Sequence, residues 1–426
     1  MKKNDIIITL LGSGGGVAKA ILAILNHSHQ YAGDPIHMPI NSCTLHLIDR
    51  EQKNRAYYDQ ILDSFRPNAF VLHQFDLDDL DRFRQHLAET GTTHVIDVSW
   101  ADTVDMLDCC HEMGVAYVNT ALENVMVDNN EKLEGYTLLE RFRIFQEHRS
   151  RFPRMKAIIG SGMNPGVVQW MALTLMHQHP GEKPIGCYIV EQDTTFFKDR
   201  TLAQPNTIYS TWSPECFLDE AIDNYPMYVT KHIPHMMYRD VYEQEFKVTL
   251  GDKQFYGCLM PHEEILSLAQ TFDMEMGFIY RVSEEMTALI RANLDRTDEL
   301  WDWDLHVLNP KEAELDGEDL VGVLLVYPDH ERYMYNVMRS SDIYPVFAVN
   351  ATYLQVACGL YGALATLLLD DIPDGVYWVD ELLLQTDSRY GEYLSTYMTT
   401  FITGENAASD GLLLDRLTSR QTDAGS

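Results

Sequence analysis

IIITLLGSGGGVAKAIL, residues 6–22, decides the fold. A β-branched apolar run ends in glycines, and Ala18, Ile21, Leu22 and Leu25 then recur at helical spacing. A glycine turn between strand and helix allows backbone N–H groups to approach a pyrophosphate at the helix N-terminus. Gly12 and Gly14 take the first two positions of G-x-G-x-x-G. The third falls on Val17, with Gly15 and Gly16 before it. The next strand, CTLHLIDR (43–50), ends in Asp49, later than the usual ~20 residues because HSHQYAGDPIHMPINS (27–42) intervenes. An acid there suits a ribose diol and favours NAD. Arg50 beside it could meet a 2′-phosphate and keeps NADP open.

Outward from this unit the pattern repeats. NAFVLHQFDL (68–77), HVIDVSW (94–100) and VAYVNTAL (115–122) read as strands, separated by helical stretches at 79–90 and 103–114. Strands alternating with helices predict an α/β, Rossmann-type doubly wound parallel sheet. Strand, turn and helix recur at 155–179, where Pro165 suits a first helical turn and Asn164 its cap. From about 185 to 340, runs such as CYIVEQDTTF (187–196) and QEFKVTL (244–250) predict a second sheet. The expected plan is a Rossmann domain over 1–150 and a second α+β domain over 151–350. A helix over 351–369 then returns to the first domain, ahead of a polar, frayed tail ending at 426.

The chain has 64 acidic against 32 basic residues, a formal charge of −32. That excludes a nucleic-acid binder, which needs basic clusters, and argues against anionic membrane surfaces. It is compatible either with plain solubility or with a cationic substrate. Seven scattered cysteines with no C-x-x-C pair fit a reducing cytoplasm and neither a disulfide framework nor a zinc site. The apolar run LQVACGLYGALATLLL (354–369) is read as a buried helix, too short and interrupted to span a bilayer.

Several polar residues fall at strand ends or turns, where α/β sites form. Asp97 lies in IDVSW and Glu123 in NTALEN; Asn164 lies in GSGMNPG and Glu191 in VEQDTT. Trp212 and Glu220 belong to STWSPECFLDE (210–220), and His262 opens HEEILSL. Each has an ordinary alternative: a helix cap for Asp97 and Asn164, a solvated loop for Glu123, core for Trp212, a structural histidine for His262. Glu263 and Glu264 read as first-turn acids favoured by the helix dipole.

In order along the chain, GMNPGVV (162–168), the Glu191 strand, TWSPECFLDE, LMPHEEILSLAQ (259–270) and ATYLQVACGLYGAL (351–364) resemble bacterial homospermidine synthase. That family lies in the saccharopine dehydrogenase-like group. The resemblance implies an NAD-dependent enzyme, a homodimer, that oxidises putrescine, joins the product to a second amine through an imine, and reduces that imine with the same hydride. It implies Trp212, Glu191, Glu220, His262 and Asn164 as catalytic residues and Glu123 and Asp97 as substrate-binding residues. Asp102 competes with Asp97 for its position. Ser210 stands where the synthases carry asparagine, which leaves the amine partner, putrescine or spermidine, open. The rival within the group is a saccharopine or carboxynorspermidine dehydrogenase-type reductase, with Arg200, Arg239 and Arg281 as candidate carboxylate clamps.

Overall fold

The computed structural model describes residues 6–66 and 68–417. The lysines at the start of the chain and the end of the polar tail, 418–426, lie outside the described residues. The chain divides into two compact units. The first runs to Trp170 and takes back Asn309–Glu312 and Ser340–Thr399. The second holds Met171–Leu308, Ala313–Arg339 and the chain from Thr400. The first boundary therefore lies within the helix Val167–Gln178, and not near 150 as read from the sequence.

The first unit is built on a seven-stranded parallel sheet. Six strands come in chain order: β1 (Ile7–Leu11), β2 (Thr44–Asp49), β3 (Phe70–Gln74), β4 (His94–Asp97), β5 (Ala116–Asn119) and β6 (Lys156–Ile159). Their spatial order is β6-β5-β4-β1-β2-β3, and the strand Gly375–Trp378 adds to β6. The strand order reverses at β1, which pairs with β2 on one side and β4 on the other. Ligand crevices of doubly wound sheets open at that switch point, outside the carboxyl ends of the strands. The strands are near-continuous apolar runs because helices cover both faces. Leu10, Leu47, Ile96, Val118 and Ile158 are all buried. The helix α1 (Gly16–Gln30) buries Ala18, Ile21, Leu22 and Leu25, the periodic set seen in the sequence.

The helix Ala351–Leu369 lies in the first unit and is apolar all round because it is mostly buried there. Its length and composition alone would pass for a membrane span. Asn350 caps it, accepting from the Tyr353 N–H at 2.9 Å. Gly16 makes room for it, since a Cβ at Gly16 would sit 2.2 Å from the Tyr353 ring. The close-packing task of the third fingerprint glycine thus falls to Gly16, one residue before the position the motif predicts.

The turn after β6 departs from the sequence reading. The helix begins at Val167, so Pro165 and Asn164 precede it and neither sits in its first turn. Gly162 N–H donates to the Pro165 carbonyl at 2.8 Å, and Gly166 N–H to Gln169 Oε1 at 2.8 Å. The Gln169 side chain thus reaches back to the helix start and satisfies a donor that the helix leaves open.

The second unit is centred on a nine-stranded mixed sheet. Its middle strand, β7 (Gly186–Asp193), runs parallel to Glu275–Arg281 and antiparallel to Asp319–Val326. Alternation divides the faces. Tyr188, Val190, Leu320, Leu324 and Ile279 enter one apolar core with Val248 and Leu259. Glu191, Asp193, Asp319 and Tyr280 point to the other face, because Glu191 is the register partner of Tyr280 and Asp193 that of Asp319.

The tail corrects the sequence reading most plainly. Phe401–Asn406 is a strand paired antiparallel with Glu331–Met338, and Leu413–Arg416 forms a short helical turn. The Arg416 and Glu331 side chains pair while fully buried. A segment read as frayed is, as far as residue 417, part of the second sheet and its core.

Candidate active site

In the first unit the fingerprint loop is shaped for an anion. Gly12 has φ +70, and a Cβ there would stand 2.6 Å from the Val98 carbonyl, so the position accepts only glycine. Gly15 occupies the N-cap of α1 without a side-chain cap. The first-turn N–H groups of this 15-residue helix therefore meet no side chain of their own cap, as pyrophosphate binding requires. Asp49 Oδ2 accepts from Gly14 N–H at 2.7 Å and Oδ1 from Glu51 N–H at 2.8 Å. The carboxylate is thereby fixed at the end of β2, against the loop, where a ribose diol is read. Arg50 leans toward Asp76, 3.8 Å away. These residues fit a dinucleotide.

The same carboxyl edge of the sheet carries Asp97, Glu123 and Asn164, after β4, β5 and β6 respectively. Asp97 ends β4 and is buried. Its Oδ1 accepts from Ser99 N–H at 3.0 Å and Ser99 Oγ at 2.6 Å; its Oδ2 accepts from the Tyr117 hydroxyl at 2.8 Å. Burial raises its pKa, and these three donors oppose the rise. Asp97 therefore locks the turn after β4 and is not placed as a substrate ligand. Asp102 is no better placed. It caps the helix Thr103–Met113, accepting from Val104 N–H at 2.9 Å and Asp105 N–H at 3.1 Å. Glu123 lies half-buried in a loop clamped to Thr103, whose Oγ1 accepts from Glu123 N–H at 3.0 Å.

In the second unit, Trp212 and Glu220 flank one helix. Ser213 is the N-cap of Pro214–Ala221 and accepts from Cys216 N–H at 3.2 Å; Pro214 follows in the first turn. That start signal fixes both neighbours. Trp212, half-buried just before the cap, donates its indole N–H to the Tyr280 hydroxyl at 3.3 Å. Glu220 lies in the last turn of the helix. Glu215, which accepts from the Ser213 hydroxyl at 2.8 Å, stays with the cap.

Glu220 Oε1 lies 3.7 Å from His262 Nε2, and His262 Nδ1 contacts Glu264 Oε2. His262 is the N-cap residue of Glu263–Thr271. In the chain carboxyl–imidazole–carboxylate, Glu220 is mostly enclosed with its side chain 12% exposed, His262 is buried and Glu264 is fully enclosed. Burial pushes the Glu220 carboxyl up to about 8; His262 opposes the rise, while Glu263, Asp219 and Glu264 add to it. Burial alone would lower His262, but the Glu264 and Glu220 carboxylates carry it to about 10. The arrangement therefore holds a charged imidazole beside a carboxyl that titrates near neutrality.

Glu191 is buried on β7 beside Tyr280. Burial, then Glu191, Asp193 and Asp319, raise the Tyr280 hydroxyl well above its usual range, so it remains a neutral donor. Asp193 accepts from the Thr211 hydroxyl at 2.5 Å. A small cavity lined by Asp193, Ser210, Thr211 and Tyr280 opens on this face. Asp193, Asp319 and Tyr280 were not singled out in the sequence, and Glu264 was read there only as a first-turn acid of its helix. The signal for three of them is strand alternation, because they share a face with Glu191. Glu264 had none, since the helix dipole alone explains a first-turn acid.

Residues 8–149 match the family described as saccharopine dehydrogenase NADP binding domain. Homospermidine synthase from Legionella pneumophila, solved in complex with NAD, aligns at a TM-score of 0.70 and 17% identity, covering 99% of this chain and 94% of that one. UDP-glucose 4-epimerases from Thermotoga maritima and Bifidobacterium longum align at TM-scores of 0.24 and 0.25, with 8% and 11% identity. Both cover 36% of this chain, and 54% and 52% of their own. No curated protein matches the chain in sequence. Over nearly its whole length the chain has the fold of the Legionella synthase, and its first part, a Rossmann-type sheet, is similar to the saccharopine dehydrogenase NADP binding domain.

Proposed function

We propose that the chain is an NAD-dependent aminobutyl transferase of the homospermidine synthase type. One putrescine loses hydride from an amine-bearing carbon and a proton from nitrogen, leaving an imine. A second putrescine adds, ammonia leaves, and the new carbon–nitrogen double bond takes back hydride and proton to give homospermidine. NAD, when bound, supplies the hydride acceptor and returns the hydride at the end. Gly12, Gly14 and Gly15 would hold its pyrophosphate and Asp49 its ribose. Asp49 supports NAD over NADP, because a carboxylate repels a 2′-phosphate.

The observation that carries the reading is Glu220, a buried carboxyl raised to about 8 beside His262. An alkylammonium releases its proton near 10.4, so transfer to an ordinary carboxylate at about 4.3 is uphill by about 8 kcal/mol. Transfer to a carboxylate at about 8 is uphill by only about 3 kcal/mol. Glu220 is the proton acceptor in this reading, and Glu264 keeps His262 charged and oriented beside it. Trp212 offers a ring face to an ammonium or iminium, worth about 1–2 kcal/mol when desolvated. Glu191 binds the ammonium that does not react. Glu123 and Asn164 are assigned substrate contacts at the carboxyl edge of the first sheet. Asp97 and Asp102 are not. The same resemblance supports a cytoplasmic homodimer acting on small amines.

The reductase alternative needs arginines for α-carboxylates, and its candidates are engaged. Arg200 pairs with Glu285 at 3.0 Å and Arg239 with Glu243 at 4.0 Å; Arg281 pairs with Glu245 at 2.6 Å. The test is mass spectrometry of products from putrescine, alone and with spermidine, under catalytic NAD. Homospermidine and one equivalent of ammonia are expected. Stoichiometric consumption of NADPH with an amino acid semialdehyde, and no polyamine product, would establish the alternative.

A further inference from the structure

Away from these residues, three histidines meet under one helix of the first unit. His46 lies in the middle of β2, His73 on β3, and His86 on the helix Leu80–Thr90 that covers them. One ring nitrogen from each lies within 4.8 Å of the other two. His46 and His86 are buried, while His73 is partly open to solvent. His46 Nδ1 and His73 Nε2 are 2.8 Å apart, and His86 Nε2 lies 3.3 Å from Thr9 Oγ1 on β1. The ring planes of His46 and His73 are tilted by 31°, and His86 stands at 79° to both.

We propose that His46, His73 and His86 form a binding site for a borderline divalent transition ion, zinc being the best fit. Zinc–nitrogen bonds of about 2.0–2.1 Å place tetrahedral ligand atoms roughly 3.4 Å apart. The nitrogens here span 2.8 Å at the closest pair and up to 4.8 Å, so small ring rotations suffice. Imidazole binds such ions only when neutral. An imidazole of ordinary value, about 6.5, is mostly neutral at pH 7, so the ligands are available there. One of His46 and His73 now donates its proton to the other. On binding, that proton moves to the far nitrogen of its own ring, so two lone pairs face the ion and no proton is released. Three nitrogens leave a fourth position for water, and the open side of His73 gives the entry path. Arg82, whose charge acts on His73 and His86, opposes a cation there. The site ties a covering helix to two strands, so its first effect is on the stability of the Rossmann domain.

The experiment uses the full chain without a histidine tag, stripped with chelator. It is titrated with zinc against a chromophoric chelator and with cobalt as an absorbing probe. One high-affinity equivalent and the visible bands of a tetrahedral nitrogen site are expected. His86→Gln and His73→Gln should each weaken zinc by more than the roughly 10–100-fold that loss of an outer-shell partner causes. His29→Gln, a histidine outside the cluster, should leave the equivalent intact. Melting curves without metal identify a variant that fails to fold; His73, being partly exposed, is the substitution better tolerated. No stoichiometric binding, or equal binding in a folded His73→Gln, would show a hydrogen-bonded histidine cluster and nothing more.

Discussion

Glu220 carries the chemistry at the scale of the residue, and pH reads it directly. Its folded carboxyl titrates at about 8, so activity is expected to rise as pH passes about 8 and the acceptor ionises. It should fall again as pH passes about 10 and His262 loses its charge. Glu220→Gln removes the lower limb along with the activity. Stability moves oppositely. A raised carboxyl favours the fold below its unfolded value, about 4.3, and that contribution is lost as pH climbs through about 8. Melting temperatures of wild type and Glu220→Gln should therefore diverge in favour of the variant over that window. A constant difference would show Glu220 ionised throughout. Trp212→Ala should lower turnover of putrescine about tenfold, the scale of one cation–π contact, and leave NAD content unchanged. Equal losses of both would mean that the ring supports the fold instead. Glu220 and His262 were named from separate sequence motifs, and the fold brings them within 3.7 Å of each other, while Trp212 precedes the helix that carries Glu220. Asp97 was misread: an acid closing a parallel strand looks like a ligand until its oxygens are found accepting from Ser99 and Tyr117.

Elements were legible where burial is two-sided. β1 to β6 are apolar runs between covering helices, the mark of parallel strands buried on both faces. Phe401–Asn406 was lost because it is an edge strand with no fully buried residue, so neither period nor hydropathy marks it. What holds this tail is charge. Glu331, fully buried, accepts from Asn406 Nδ2 at 2.8 Å, from Asp410 N–H at 2.8 Å and from Arg416. Arg416 also donates to the Gly411 carbonyl at 2.8 Å. Arg416→Ala strands the carboxylate without its cation, which costs about 3–5 kcal/mol in buried pairs. Urea denaturation should show that loss in a lowered midpoint. Pairing Arg416→Met with Glu331→Leu should recover much of it, because the desolvation penalty then disappears from both sides. A loss under about 1 kcal/mol for Arg416→Ala would place the pair in solvent-like surroundings.

For the whole molecule the relevant quantity is charge, and it was fully legible: 64 acids against 32 bases. The sequence alone could not separate solubility from attraction of a cationic substrate. The face carrying Glu191, Asp193 and Asp319 gives the second reading a physical target, because these three acids share one face of the sheet and Asp193 lines a small cavity on it. A field of this sign raises the local concentration of a dication and the rate of encounter, and salt screens it over about 10 Å at 0.1 M. The kcat/KM for putrescine should therefore fall steeply between low salt and about 0.5 M, while kcat at saturation changes little. The cofactor is an anion, so its affinity should hold or improve over the same range. Opposite slopes for the two ligands cannot arise from general salt inactivation, and an unchanged melting temperature would exclude partial unfolding. If kcat/KM for putrescine is flat across that range, the acidic excess serves solubility alone, and the carboxylates on the second sheet act only at contact distance.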